Sequence, residues 1–244
     1  FSTLKGTTAR LRGVANLSTS MDMVFDGLRM VEVLRPATVL VEQVPGFAEK
    51  MGTLMEVRLR RWGYNVQSAI LSAPDFRGLT GRTRYYLVAS VFPHFQFPAG
   101  LPRRTKPVWE SISDQLGHCR DVTENKTVKD GQISPRGWCP LTSSSLVAPT
   151  LVKSQSHMPK DALYLKADDG RYLAPNVEIL RRLNGIPPEF DFSEVSQTIA
   201  IEQIGQSIDF PMHHAIVQAV HDHLRVNAGE SPRKISLAQP DHNP

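Results

Sequence analysis

The chain has 244 residues, of which 41% are hydrophobic, and this composition excludes a disordered or fibrous protein. Two cysteines at unrelated spacing give no disulfide framework, and no apolar run reaches the about 18 residues of a membrane helix. The net charge of +4 permits a polyanionic partner without identifying one. We therefore expect an intracellular protein with no membrane partner.

The first 91 residues predict alternating helices and strands. Residues 1–17 contain Gly, Thr and Arg without an apolar period, which predicts an exposed basic loop. Capping oxygens at residues 18–20 precede apolar residues at helical spacing, so a helix is expected from there until Pro36. A strand at residues 39–44 follows.

A second amphipathic helix is predicted after this strand, with Gly63 as its C-cap. Its expected apolar face comprises Phe47, Met51, Leu54 and Trp62. Residues 65–71 and 84–91 predict two further strands. Helices alternating with strands are typical of an α/β fold.

The strand at residues 39–44 ends in an acid, an amide and a Pro-Gly turn. Its uninterrupted β-branched sequence predicts a strand buried on both faces, as in a parallel sheet. Polar groups at the carboxyl end of such a strand face the crevice where α/β folds bind ligands. Glu42 is therefore a candidate functional residue, and the alternative is an ordinary acid at a strand end.

The chain changes character after residue 91. Residues 92–107 carry prolines among aromatic and basic residues, and the following stretch shows short apolar runs between turns, which predicts a small irregular domain. A hairpin is expected to join residues 164–166 to 171–173. Helical periodicity returns at residues 177–183 and 212–224. The histidines of the latter stretch lack an i, i+4 pair, so a solvated helix is expected and no metal site.

Four separated stretches, in this order, resemble motifs of the cytosine-C5 DNA methyltransferases. Residues 36–47, PATVLVEQVPGF, resemble the Glu-Asn-Val motif, and residues 80–84, TGRTR, resemble the Gln-x-Arg-x-Arg motif. Residues 178–187, EILRRLNGIP, resemble the helix that carries the target-recognition domain. Residues 203–208, QIGQSI, resemble the final Gly-Asn-Ser-Val motif. Their order and spacing make a chance match a poor explanation.

The resemblance implies an α/β fold: part of a Rossmann-like methyltransferase sheet with a smaller, irregular, β-rich target-recognition domain. Residues 1–91 would be the C-terminal part of the catalytic domain, and residues 92–190 the target-recognition domain with its supporting helix. Residues 191–226 would return to the catalytic domain. Residues 227–244 predict a flexible tail.

The implied function is methylation of cytosine C5 in duplex DNA, with S-adenosylmethionine as cofactor. In the implied mechanism a cysteine thiolate adds to C6 of a base flipped out of the duplex. Neither cysteine follows a proline, and no Gly-rich turn could cradle the cofactor. We therefore expect an N-terminal segment or a companion chain to carry the Pro-Cys nucleophile and most of the cofactor site.

The resemblance assigns roles to residues of this chain. Glu42 would hydrogen-bond the N3 and N4 edge of cytosine, Arg84 its O2 edge, and Arg82 the sugar-phosphate or the nucleophile loop. Gln206 and Ser207 would lie against the cofactor. For the two arginines, the alternative is a pair of solvated side chains at a strand end.

Candidate DNA contacts lie in two basic regions. Arg103, Arg104 and Lys106 are expected to hold phosphates, although a basic loop is often only solvated. Arg136, between Pro135 and Gly137, is the candidate for reading guanine. Further candidates lie in the opening loop: Ser2, which resembles a residue just after the family's nucleophile, and Lys5.

Three residues depart from the family pattern: Gln43 and Gln206 replace Asn, and Thr80 replaces Gln. A divergent active enzyme would show such changes, and so would a catalytically silent DNA-binding or regulatory subunit of the same fold. A tRNA-methylating relative is a third possibility. The sequence leaves these alternatives open.

Overall fold

The computed structural model of the chain describes residues 10–130 and 140–229. Its contacts divide the chain into two compact units. Among the described residues, unit 1 comprises residues 10–71, 83–98 and 216–229, and unit 2 comprises residues 72–82, 99–130 and 140–215. Within the described ranges, no helix is long and apolar enough to cross a membrane.

Unit 1 is built on a three-stranded sheet with the order β1-β3-β2. Its elements are α1 (Arg10–Leu34), β1 (Thr38–Gln43), a π-helical turn (Ala48–Gly52), α2 (Thr53–Arg61), β2 (Asn65–Ser72) and β3 (Thr83–Ser90). The three predicted strands are therefore present. Strands β1 and β3 run antiparallel, with Glu42 opposite Tyr86.

The expectation that β1 lies in a parallel sheet, buried on both faces, is wrong for this pair. Every residue of β1 is only partly buried, whereas residues 85–90 of β3 are all buried. The strand order explains the difference, because β3 lies between the other two strands while β1 has one neighbour among the described strands. The continuous apolar pattern of β1 reflects β-branched propensity more than burial.

Helix α1 begins at Arg10, so the prediction of a loop up to residue 17 is wrong for residues 10–17. Residues 18–20 lie inside the helix rather than capping it. No proline interrupts residues 10–34, and each of the two glycines, Gly13 and Gly27, costs the helix only about 1 kcal/mol. The helix ends as predicted, since Arg35 takes a left-handed conformation with φ 46° immediately before Pro36.

The predicted apolar face of this helical segment is confirmed at Phe47, Met51 and Trp62, which are buried, and is wrong at Leu54. Leu54 is 44% exposed, whereas Met55 and Leu59 are buried. The π-helical turn before α2 places an extra residue in one turn, which shifts the face that follows. Gly63 has φ 93° and ends the helix as predicted.

The core of unit 1 lies between α1, α2 and the sheet. Its most buried members are Phe47, Leu59, Leu87 and Ala89. Helix α6 (Phe210–Asn227) contributes His223, whose Nε2 lies 3.0 Å from the hydroxyl oxygen of Ser90. Burial lowers the pKa of His223, so the prediction of a fully solvated helix is wrong at this residue.

Unit 2 contains short elements joined by turns. They are β4 (Arg120–Asp121), α3 (Lys126–Lys129), β5 (Leu165–Lys166), β6 (Tyr172–Ala174), α4 (Val177–Leu183), α5 (Gln197–Gln206) and the first residues of α6. The predicted hairpin is present as the antiparallel pair β5 and β6, in a sheet of order β4-β6-β5. Periodicity did not predict α5.

Two arginines hold the carboxylate of Glu178 in α4. Arg181 Nε lies 2.8 Å from Oε2, and Arg182 Nε lies 2.6 Å from Oε1. Arg182 also bonds the carboxylate of Asp114, 2.7 Å away, and so ties α4 to the 3₁₀ turn Ser113–His118. The hydrogen bond from Arg181, reinforced by Arg182, lowers the pKa of Glu178 from 4.5 to about 2.

We expect Glu178→Gln to lower the free energy of unfolding by about 1 kcal/mol at pH 7, a value reduced because the carboxylate is 35% exposed. Because the pKa of Glu178 is lower in the folded than in the unfolded state, its carboxylate stabilises the fold above pH 4.5. This contribution is lost as the pH falls toward 2. Urea unfolding across this range should show the difference from wild type shrinking below pH 4.5. The exposed Glu194→Gln is the control, and a difference independent of pH would contradict the assignment.

Candidate functional site

Glu42 and Arg84 form an ion pair at one end of the β1–β3 ladder. Because Glu42 is opposite Tyr86, Arg84 is its diagonal neighbour on the same face. Arg84 Nε lies 2.9 Å from Glu42 Oε1, and the two side chains are 16% and 25% exposed. The structure thus brings together two of the three predicted catalytic residues.

The ion pair engages only some of the polar atoms of the two side chains. Arg84 Nη1 donates to the carbonyl of Thr83 at 2.8 Å. Within the described part of the chain, Oε2 of Glu42 and Nη2 of Arg84 make no hydrogen bond. A carboxylate oxygen and a guanidinium N–H at one partly exposed edge can receive a planar molecule with both donors and acceptors.

Arg82, the third predicted catalytic residue, belongs to unit 2 and is only 4% exposed. Its carbonyl accepts a hydrogen bond from the backbone N–H of Ala73 at 2.8 Å. The alternative reading of solvated strand-end arginines is therefore wrong for Arg82.

Thr80, which stands where the family has Gln, is fully buried in unit 2. Its hydroxyl lies 3.4 Å from Oδ2 of the buried Asp209, and Oδ1 of that carboxylate accepts from the backbone N–H of Met212 at 3.2 Å. Asp209 thus caps the start of α6 and also holds Thr80. No sequence motif singled out Asp209.

Gln206 and Ser207, the predicted cofactor contacts, close α5. The Ser207 hydroxyl donates to the carbonyl of Ile204 at 2.8 Å and accepts from Asn184 Nδ2 at 2.6 Å. The exposed amide of Gln206 donates to Glu202 at 3.3 Å. Asn184, fully buried, also donates to the carbonyl of Ile208 at 2.8 Å. The Asn-Gly pair after α4 is the signal that could have identified it.

The basic residues of the loop at 103–106 differ in their contacts. Arg103 pairs with Asp75 at 2.8 Å. Arg104 donates to the carbonyls of Lys106 and Pro107 at 2.6 and 3.1 Å, so its guanidinium holds the loop. Lys106 is exposed. The remaining predicted DNA contacts, Ser2, Lys5 and Arg136, lie outside the described residues.

Comparison with known proteins finds that the chain is similar to methyltransferases. The chain is 29% identical to the type II methyltransferase M1.ScrFI of Lactococcus lactis subsp. cremoris over 80% of its own length and 54% of that protein's. It therefore spans about half the length of this curated relative. No protein-family model matches the chain.

Two solved structures share the fold. The S. pombe Dnmt2 methyltransferase superposes with a TM-score of 0.66 at 19% identity, covering 78% of this chain and 68% of that one. A candidate DNA modification methyltransferase from an E. coli prophage superposes with a TM-score of 0.51 at 18% identity, covering 81% and 72%. The resemblance to DNA methyltransferases is thereby confirmed, and the chain shares the α/β fold of these methyltransferase structures.

Proposed function

We propose that this chain is the DNA-facing part of an enzyme that methylates C5 of cytosine in duplex DNA. The observation that carries the proposal is the Glu42–Arg84 pair, with a carboxylate oxygen and a guanidinium N–H available at one edge. The order of the four motifs supports it. So do the names of the type II relative and of the prophage DNA modification methyltransferase.

Glu42 would act on the N3 edge of the flipped base. Cytosine C5 becomes nucleophilic only when a nucleophile adds to C6 and electron density moves toward N3. A carboxyl group hydrogen-bonded at N3 can hold a proton there, and Oε2 of Glu42 is available for this contact. The exocyclic N4 would donate to the same carboxylate.

Arg84 would position Glu42 and bind the base. Its Nε contact fixes one carboxylate oxygen, and its bond to the Thr83 carbonyl fixes the guanidinium plane. The remaining Nη2 donors suit the O2 acceptor of cytosine. Since only an unstacked base exposes its N3 and O2 edges together, the proposal requires base flipping.

The residues present do not by themselves fit S-adenosylmethionine, the methyl donor of the proposed reaction. The Ser207 hydroxyl is engaged by Asn184 and Ile204, and the Gln206 amide is engaged by Glu202. The described ranges also contain no Gly-rich turn between a strand and a helix. We propose that a segment carrying the Pro-Cys nucleophile supplies most of the S-adenosylmethionine site. Residues 206–207 would contribute only contacts at the edge of that site.

The test is methyl transfer from labelled S-adenosylmethionine to duplexes with and without cytosine, with a Pro-Cys segment present. Label in the cytosine duplex alone is expected, and digestion to nucleosides should place it on C5. Label on another atom would contradict the chemistry. Competition between duplex DNA and tRNA decides between the two nucleic acid substrates.

A catalytically silent subunit of the same fold is the second candidate. Its support is that the three substituted side chains, Gln43, Thr80 and Gln206, all have partners within this chain, as structural residues do. Retained duplex binding without any labelled product, under all conditions with the Pro-Cys segment present, would favour it.

A further inference from the structure

A concave basic surface in unit 2 lies beside the loop at residues 102–106. The cavity has a volume of about 380 Å³. It is lined by Arg77, Pro102, Arg103, Arg104, Thr105 and Lys106. Four of these six residues are cations, and none of the described residues that line it is a carboxylate. We call this surface the basic cleft.

Arg77 reaches the cleft from a constrained turn. Its φ of 65° lies in the left-handed region, which non-glycine residues seldom occupy. The backbone N–H groups of Arg77 and Gly78 both donate to the carbonyl of Ala73. A Cβ at Gly78 would lie 2.7 Å from Ala73 Cβ and 2.8 Å from Asp209 Oδ1, so the turn has no room to relax. Non-glycine residues with such a backbone conformation are concentrated at functional sites, which makes the Arg77 side chain a candidate for a functional contact.

The opposite wall is held by the loop itself. The backbone N–H of Leu101 donates to the carbonyl of Asp75 at 2.7 Å, and Arg103 pairs with the Asp75 carboxylate. Arg104 donates to the carbonyls of Lys106 and Pro107. Arg103 and Arg104 are therefore engaged within the chain and shape the cleft.

Arg77 and Lys106 differ from these two arginines. Among the described residues, neither the Arg77 guanidinium nor the Lys106 ammonium has a hydrogen bond or an ion pair, and both side chains are exposed. A forked donor and a point charge that line one concavity, neither engaged by an acceptor among the described residues, match an anionic tetrahedral group better than a base edge.

We propose that the basic cleft binds a phosphodiester group of the DNA backbone, with Arg77 as the forked donor, Lys106 as the second charge and Arg104 as a positioning residue. This inference rests on the proposed function, since it takes DNA as the ligand. Arg77 thereby becomes a DNA contact that the motif analysis did not assign. A phosphate contact fixes register and orientation on the duplex without reading sequence.

The decisive variant is Arg77→Gly in the 244-residue chain. Glycine adopts a positive φ readily, so the fold should persist with an unchanged or higher Tm. Fluorescence anisotropy with a labelled duplex should show an affinity about tenfold lower at low salt. The slope of log K against log salt should fall by about one. Arg77→Lys should keep most of the slope.

The control is Arg61→Gln, which removes the same charge from the exposed end of α2 and should leave the slope unchanged. A folded Arg77→Gly protein with the wild-type slope would overturn the cleft assignment, and wild-type methylation of DNA would then leave the proposed function standing. If the wild type bound inorganic phosphate through Arg77 but not duplex DNA, the phosphodiester assignment would be wrong. If the wild-type protein neither bound nor methylated DNA, both proposals would be wrong.

Discussion

Replacing Glu42 by Gln is expected to lower the rate of methyl transfer at least about a hundredfold while changing DNA affinity only slightly. The amide keeps the size of the carboxyl group and can still accept from Arg84, so the geometry of the pair should persist. It cannot hold a proton at N3 of cytosine, so the stabilisation it removes belongs to the transition state. Single-turnover methylation with a Pro-Cys segment present, alongside duplex binding, measures both effects.

Glu49→Gln is the matched control for this variant. It makes the same chemical change on the exposed face of the π-helical turn, seven residues along the chain, and should leave the rate unchanged. A wild-type rate in Glu42→Gln would remove Glu42 from the mechanism. A parallel loss of rate and DNA affinity would instead assign it to binding.

The Arg84 partner can be tested by a double-mutant cycle. Arg84→Gln alone should lower the rate, because it releases Oε1 of Glu42 and removes the proposed O2 contact. If the two residues act as one unit, the double variant should be little slower than the slower single variant. Fully additive losses would show that the ion pair has no catalytic role.

The second large effect is expected at Gly205, in α5. Replacing an exposed glycine in a helix by Ala usually stabilises the protein by about 1 kcal/mol. At Gly205 a Cβ would lie 2.4 Å from the carbonyl oxygen of Val152 and 2.8 Å from Cα of Lys153. Both neighbours are backbone atoms, so α5 must move away from residues 152–153. Gly205→Ala is therefore expected to destabilise the protein by about 3 kcal/mol.

Gly117→Ala in the same unit provides the comparison, since nothing lies within 4 Å of a Cβ there and its φ is not positive. Urea unfolding should show a large loss for Gly205→Ala and a small change for Gly117→Ala. Equal effects would contradict the close approach of α5 to residues 152–153. The glycine of the QIGQSI stretch thus has a packing reason that is independent of any cofactor.

Local pattern predicted much of the fold. The strands β1, β2 and β3, the β5–β6 hairpin, α4 and the end of α1 were all expected from apolar spacing and turn residues. Each depends on interactions within a few residues, which the sequence displays directly. The motif at residues 36–47 also identified Glu42, and the TGRTR stretch identified Arg84.

Other features depended on the path of the chain. The exposure of Leu54 follows a π-helical turn that a regular helical period does not predict. The left-handed backbone of Arg77 follows from a turn closed on Ala73 and packed against Asp209, residues that no local pattern connects. Arg103 and Arg104 are engaged within the chain whereas Lys106 is not engaged by any described residue, and only the positions of their acceptors could show this difference.

The proximity of Glu42 and Arg84 shows this difference most clearly. The sequence alone determined that Glu42 lies near the end of one strand and Arg84 at the start of another. In the parallel arrangement it predicted, the start of β3 would lie far from the end of β1. The antiparallel pairing observed places these two ends together, in a register with Glu42 opposite Tyr86. Strand direction and register are set by packing between residues distant in the chain, and for that reason only the tertiary structure could decide them.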